Sequence, residues 1–344
     1  MIKPPKLQKR DTIAVIAPSW NGYEIFPHVV ELGIKRLEAF GFEVKKGKSL
    51  MHSNDELYAN PKLRADDIHE QFQDKNVKGI ISIIGGYESV RVLPYIDPKI
   101  ITSNPKFFMG FSDITTFNAY FNQLGLITFN GPTVMVGFAE SYELQDEFIK
   151  HIESFLFDKW EEFSYQPFSK YSDNHLDWDE PKNLELKNPN YIENTTKWRC
   201  IQGEGSVEGE LYGGCIEVLE FMKGTKYWPK LEFFDNKILF FETSEDKPTP
   251  EQVEHFLRNY GMQGILSRIS AILVGRAKNY SLDEKRELEE KILKVLKEFN
   301  REDLLVITNI DFGHTDPQII LPLGIKSKIN SSPPAITLLE SIWT

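Results

Sequence analysis

Phe107-Phe108-Met109-Gly110-Phe111-Ser112-Asp113-Ile114-Thr115-Thr116-Phe117 is the stretch on which the fold turns. An apolar run ends at Gly110, and apolar residues at helical spacing begin directly after it. Such a segment reads as a buried strand feeding a helix. Ser112 then stands at the turn, with its hydroxyl exposed. It also lies at a helix N-terminus, where free backbone N–H groups can hold a negative charge. Hydrolases with a nucleophilic serine place it in a turn of this kind. A serine there is also a common helix cap. The rest of the chain must therefore supply a base, an acid and an oxyanion site.

Upstream, strands and helices alternate. Asp11 to Pro18 is a near-continuous apolar run, as expected of a strand covered on both faces. Val29 to Phe40 carries apolar residues at helical spacing, with Gly41 placed to end the helix. Phe42 to Lys45 reads as a short strand and Pro61 to Asp74 as a helix that starts on proline. Val77 to Ile84 is a third strand running into Gly85-Gly86-Tyr87, and a further helix is expected up to about Tyr95. This β-α-β-α order predicts a flavodoxin- or Rossmann-like parallel sheet with helices on both faces. Ligands of such sheets bind beyond the carboxyl ends of the strands. Pro18-Ser19, Gly85-Gly86 and Ser112 all fall at such ends.

Composition narrows the function classes. The chain has 344 residues, enough for two domains, with 41% hydrophobic and 26% charged residues. The net charge is −11 and there is no basic run, which argues against a nucleic-acid partner. No apolar run is long enough to span a bilayer, and the basic start lacks the apolar core of a signal peptide, so a cytoplasmic location is expected. Cys200 and Cys215 fit no zinc spacing, and the seven histidines form neither H-x-x-x-H nor H-E-x-x-H. Gly85-Gly86-Tyr87-Glu88 matches neither dinucleotide nor P-loop patterns. No metal and no cofactor are expected.

From about Lys159 to Thr196 the sequence is polar, aromatic and aperiodic. A segment this long without periodicity is a functional loop or linker. The expected division is therefore an N-terminal α/β domain over 1–160, an inter-domain loop over 161–197, and a β-rich α/β domain over 198–344. In the last, Gly205 to Gly214, Lys237 to Glu242, Ile269 to Gly275 and Leu304 to Thr308 read as strands. Ile216 to Met222, Thr249 to Tyr260 and Ser281 to Phe299 read as helices, and the tail offers β pairs.

A nucleophilic serine needs a base, and the base needs a partner that fixes its tautomer. Glu242 ends the apolar run Ile238-Leu239-Phe240-Phe241, and His314 follows Gly313 in the loop after the strand at Leu304. A loop salt bridge for Glu242 and an ordinary turn histidine for His314 are the plain alternatives. Gly85-Gly86 allows close backbone approach, so the amides near Gly86 and of Asp113 are the candidate oxyanion donors. Gly110-Phe111-Ser112-Asp113-Ile114 lacks the second glycine of G-x-S-x-G, so it departs from the α/β-hydrolase elbow.

Ile84-Gly85-Gly86-Tyr87, Gly110-Phe111-Ser112-Asp113-Ile114-Thr115, Leu239-Phe240-Phe241-Glu242 and Phe312-Gly313-His314 together resemble the LD-carboxypeptidase family of serine peptidases. The resemblance runs from Asp11 to Gly324. It implies Ser112 as nucleophile, His314 as general base and Glu242 as its partner, in an active site between two domains. It also implies a homodimer. The length, the extended loop and Gly213 to Pro229 are similar to the microcin C immunity (MccF-like) branch, although Cys215 stands where that branch usually has asparagine. That branch cleaves the amide joining an acidic amino acid to a nucleotide-like group, with a loop aromatic stacked on the base. Trp178 and then Trp198 are the aromatic candidates, with Gly85 and Tyr87 as further substrate contacts. A murein peptide ending in a D-amino acid is the other substrate. A non-catalytic two-domain binding protein is the alternative from another class.

Overall fold

Apolar runs without alternation need cover on both faces, and the computed structural model provides it. The structure describes residues 1–140, 146–174, 177–180 and 191–344. In the first half, β1 (Thr12–Ile16), β2 (Glu43–Lys46), β3 (Val77–Ser82), β4 (Phe107–Gly110) and β5 (Thr128–Asn130) pair in the order β2-β1-β3-β4-β5, every neighbour parallel. This is the flavodoxin-like order. The connecting helices are α1 (Gly22–Ile25), α2 (Pro27–Ala39), α3 (Asn54–Ala59), α4 (Lys62–Gln73), α5 (Pro98–Ser103) and α6 (Thr115–Gln123), with α7 (Asp146–Phe157) after β5. Pro27 opens α2, which buries Val29, Val30, Ile34 and Leu37.

The helix expected between Gly86 and Tyr95 is absent. Two 3-10 turns, Ser89–Arg91 and Leu93–Tyr95, stand there instead. Pro94 has no N–H to give a helix, and the Ser89 N–H is drawn to the Asp113 carboxylate at 2.9 Å.

The second half begins with β6 (Phe163–Ser164), β7 (Lys170–Tyr171), β8 (Ile192–Glu193) and β9 (Arg199–Gln202). Then come β10 (Ser206–Cys215), α8 (Ile216–Met222), β11 (Lys237–Glu242), α9 (Pro250–Met262), β12 (Ala271–Gly275), α10 (Leu282–Glu298), β13 (Leu305–Ile310), β14 (Leu321–Leu323), β15 (Lys326–Ser331) and β16 (Pro334–Leu338). The second sheet runs β6-β16-β15-β10-β11-β12-β13-β9. Its centre, β10 to β13, is parallel, and its edges are antiparallel. Capping boxes at Thr249 and Ser281 start α9 and α10.

The chain crosses the expected domain boundaries twice. Phe163–Ser164, expected in the loop, pairs with β16 and so belongs to the second sheet. Leu321–Leu323 pairs antiparallel with β5 and so extends the first sheet. Trp343 near the C-terminus packs on Phe107 and Phe129. Of the expected loop, residues 175–176 and 181–190 lie outside the described residues. Among the described residues, no helix is long and apolar enough to cross a membrane.

Between β13 and β14 the chain passes from one sheet to the other, and His314 rides on this strap. The strap is tied at its base. Ile319 N–H donates to the Asp311 carbonyl at 2.7 Å. The Asp311 carboxylate accepts from the buried Arg276 guanidinium at 2.5 Å, from Trp198 Nε1 at 2.8 Å and from Phe168 N–H at 3.3 Å.

Candidate active site

Ser112 follows β4 directly and takes φ 60°, a left-handed conformation rare for serine. Strain of this kind costs roughly 1–3 kcal/mol and persists where the surroundings impose it. One 3-10 turn, Ser112–Ile114, precedes α6, and the Ser112 side chain caps neither segment. The plain reading of this serine as a cap is thereby removed. Gly85 lies against it: a Cβ there would sit 2.7 Å from Ser112 Cβ, 2.8 Å from its Oγ and 3.2 Å from the Asp113 backbone nitrogen. The loop after β3 thus reaches the serine only because position 85 has no side chain.

The Asp113 side chain turns away from the cleft. It is buried and accepts from the Ser19 hydroxyl at 2.6 Å and from Ser89 N–H at 2.9 Å. It therefore ties the ends of β1 and β3 to the Ser112 turn. Burial pushes its pKa up, against these hydrogen bonds.

Glu242 ends β11 and is fully buried. His314 Nδ1 lies 2.6 Å from Glu242 Oε2, and His314 Nε2 lies 3.1 Å from Ser112 Oγ. Gly313 has φ 99°, and a Cβ there would collide with Glu242 Cβ at 2.7 Å, so the glycine lets the strap pass over the carboxylate. The Phe111 ring meets the imidazole edge-on at 4.9 Å and helps to fix its plane. Burial favours the neutral imidazole, but Glu242 and then Glu245 outweigh it and push the His314 pKa up to about 10. Chemically, this is a hydroxyl, an imidazole and a buried carboxylate in one hydrogen-bonded line.

The cleft over this line measures about 660 Å³. Trp20, Phe26, Tyr87, Phe111 and Trp178 supply its apolar walls, and Gly85, Gly86, Ser112 and His314 also border it. Trp178 is held in place: its Nε1 donates to Glu140 at 2.9 Å, its carbonyl meets His28 Nε2 at 2.9 Å, and Phe26 packs edge-on at 5.4 Å. Tyr87 is 61% exposed, and its hydroxyl donates to Asp246, in the loop after β11, at 3.0 Å. Burial first, and then Asp246, push the Tyr87 pKa up to about 12.

Trp198 lies elsewhere. It is 5% exposed, bonded to Asp311 and outside the cleft lining. The expectation that it contacts substrate is corrected: its indole N–H completes the strap anchor. Sequence reasoning missed Trp20 and Phe26, which follow β1 on the same side as Ser19. It also missed Glu245, whose Oε2 lies 2.9 Å from His314 Nε2. Its only sequence signal is its place three residues after Glu242, in the loop that leaves β11.

One parallel sheet that delivers a strained serine, and a second that delivers a carboxylate beside a histidine strap, make the frame of a serine peptidase-like hydrolase. Residues 13–131 match the LD-carboxypeptidase N-terminal domain, and residues 208–329 match the LD-carboxypeptidase C-terminal domain. The chain belongs to the LD-carboxypeptidase family, peptidase family S66. It is 29% identical to the microcin C7 self-immunity protein MccF of Escherichia coli over 312 residues, 90% of this chain and 87% of that one. It is also 29% identical to a Bacillus subtilis protein named "Probable murein peptide carboxypeptidase", over 96% of this chain and 92% of that one. The solved structure of MccF with aspartyl sulfamoyl adenosine superposes with a TM-score of 0.89 at 27% identity, covering 100% of both chains.

Proposed function

We propose that the chain is an MccF-like serine amidase that hydrolyses the amide of an aminoacyl- or peptidyl-nucleotide. One observation carries the mechanism: His314 bridges Ser112 Oγ at 3.1 Å and Glu242 at 2.6 Å. His314 Nε2 takes the Ser112 proton as Oγ bonds to the carbonyl carbon. Glu242 fixes the imidazole tautomer and stabilises its charged form. The oxyanion is held by the amides at Gly86 and Asp113, beside the Gly85 approach. His314 then gives its proton to the leaving nitrogen, and the C–N bond breaks. Water attacks the acyl-serine with His314 again as base, returning the serine hydroxyl and releasing the acid.

The aromatic walls of the cleft support a nucleobase as the leaving group's ring, with Trp178 as the stacking surface and Tyr87 beside it. The Bacillus relative supports the second substrate, an L,D-peptide bond in a murein peptide. Incubating the protein with an aminoacyl sulfamoyl adenosine and with a murein tetrapeptide, and following the products by mass, separates the two. Cleavage of the nucleotide amide is expected, and it should disappear in Ser112→Ala. Release of only the terminal D-amino acid would move the reading to the murein substrate. The same resemblance carries a homodimer acting in the cytoplasm, which light scattering and cell fractionation test.

A further inference from the structure

His314 Nε2 has two suitors. Ser112 Oγ lies 3.1 Å from it and Glu245 Oε2 lies 2.9 Å from it. An imidazole nitrogen offers either one proton or one lone pair, and a carboxylate only accepts. While Glu245 rests there, Nε2 must carry a proton, and a protonated Nε2 cannot take the proton of Ser112. The geometry is therefore that of a closed base: an imidazolium held between Glu242 and Glu245. Burial works against the charge on Glu245, and the pairing with His314 outweighs it and holds its pKa down to about 2.

Glu245 is placed to leave. Its side chain is 52% exposed and borders the cleft, between flanking residues that are tied down. The Ser244 hydroxyl donates to Glu217 at 2.6 Å, and Asp246 accepts from Tyr87. A side-chain rotation of Glu245 towards the open cleft would free the imidazole. Among the described residues that line the cleft, Glu88, Asp177, Asp179 and Glu245 are acidic, and no lysine or arginine occurs. Lys278, which interacts electrostatically with Glu245, is buried outside the lining.

We propose that Glu245 is a specificity-determining gate, which binds a positively charged amine on the acyl residue of the substrate and thereby releases His314 Nε2 to Ser112. The proposal rests on the serine amidase reading above. An α-ammonium nitrogen lies about 2.5 Å from the carbonyl carbon that Ser112 would attack, two bonds away, so it comes within reach of a carboxylate that already touches the imidazole. As Glu245 turns to the ammonium, the Nε2 proton passes to solvent water. One cation replaces another beside the carboxylate, and the charge of the site is conserved. Of the two nucleotide classes, aminoacyl compounds with a free α-amine are then favoured over peptidyl ones, whose acylated amine does not draw Glu245 from the imidazole.

The test compares alanyl sulfamoyl adenosine with its Nα-acetyl form, in wild type, Glu245→Gln and Glu245→Asp. Wild type should prefer the free amine by about tenfold or more in kcat/KM. In Glu245→Gln the preference should collapse towards one, with KM rising for the free amine and kcat/KM rising for the acetylated form. Glu245→Asp should restore part of it. A neutral fluorophosphonate reads the gate without an amide substrate: it should label Ser112 several-fold faster in Glu245→Gln than in wild type. An unchanged preference, an equal loss on both substrates, or an unchanged labelling rate overturns the gate while labelling itself leaves the amidase reading standing. Failure of Ser112 to label in either protein overturns the amidase reading, and the gate with it.

Discussion

His314 Nδ1 lies 2.6 Å from Glu242 Oε2, with Glu242 wholly buried and Gly313 leaving room for it. Glu242 ends β11, and His314 sits on the strap after β13, which carries it towards the first sheet. On the proposed mechanism, Glu242→Gln keeps the volume and loses the charge that holds the imidazole in its working tautomer. kcat should fall by about 10²–10⁴, with circular dichroism unchanged. A loss below tenfold would detach Glu242 from the chemistry.

Gly85→Ala tests the close approach. The added Cβ would meet Ser112 Cβ at 2.7 Å and its Oγ at 2.8 Å, so the serine or the loop must shift. A displacement of about 1 Å at a reacting atom costs about a hundredfold in rate, and kcat should fall by that order. Steady-state kinetics on the folded variant read this directly.

Trp178 and Trp198 should separate cleanly. Trp178→Ala opens the cleft wall, so KM should rise several-fold while the unfolding temperature changes little. Trp198→Phe removes the indole N–H from the buried Asp311 carboxylate, which costs about 1–3 kcal/mol of stability. Thermal unfolding and KM, measured on both variants, should show opposite patterns.

The pH dependence follows from the raised pKa of His314. Its pairing with Glu242 contributes stability that is fully present below the unfolded value near 6.5 and is lost as pH rises through about 10. The catalytic base form appears in the same direction, so kcat/KM should climb with pH above 6.5 rather than level off there. Glu245→Gln removes one of the two carboxylates that raise this pKa, and the limb should move to lower pH. A wild-type limb at the ordinary histidine value would contradict the paired state.

The parts of this fold that could be read from residues are those where burial leaves a one-dimensional trace. β1, β3, β4 and β11 are apolar without alternation because both faces are covered, and their order alone implies parallel pairing. Ser112, Glu242 and His314 could be picked out because each stands where such a strand or its loop ends. The 3-10 turns around Pro94 could not, since the Ser89 N–H is diverted by Asp113, a residue distant in sequence. The return of Leu321–Leu323 to the first sheet and the burial of Trp198 on Asp311 depend on partners hundreds or scores of residues away. Glu245 looks like any loop carboxylate until the strap brings His314 to it.

The most direct measurement is intact-mass and peptide mass spectrometry after treatment with a fluorophosphonate. One covalent adduct is expected on the peptide containing Ser112 in the wild-type protein and none in Ser112→Ala. A wild-type protein that stays unmodified, or an adduct that persists in Ser112→Ala, would contradict the claim that Ser112 is an activated nucleophile.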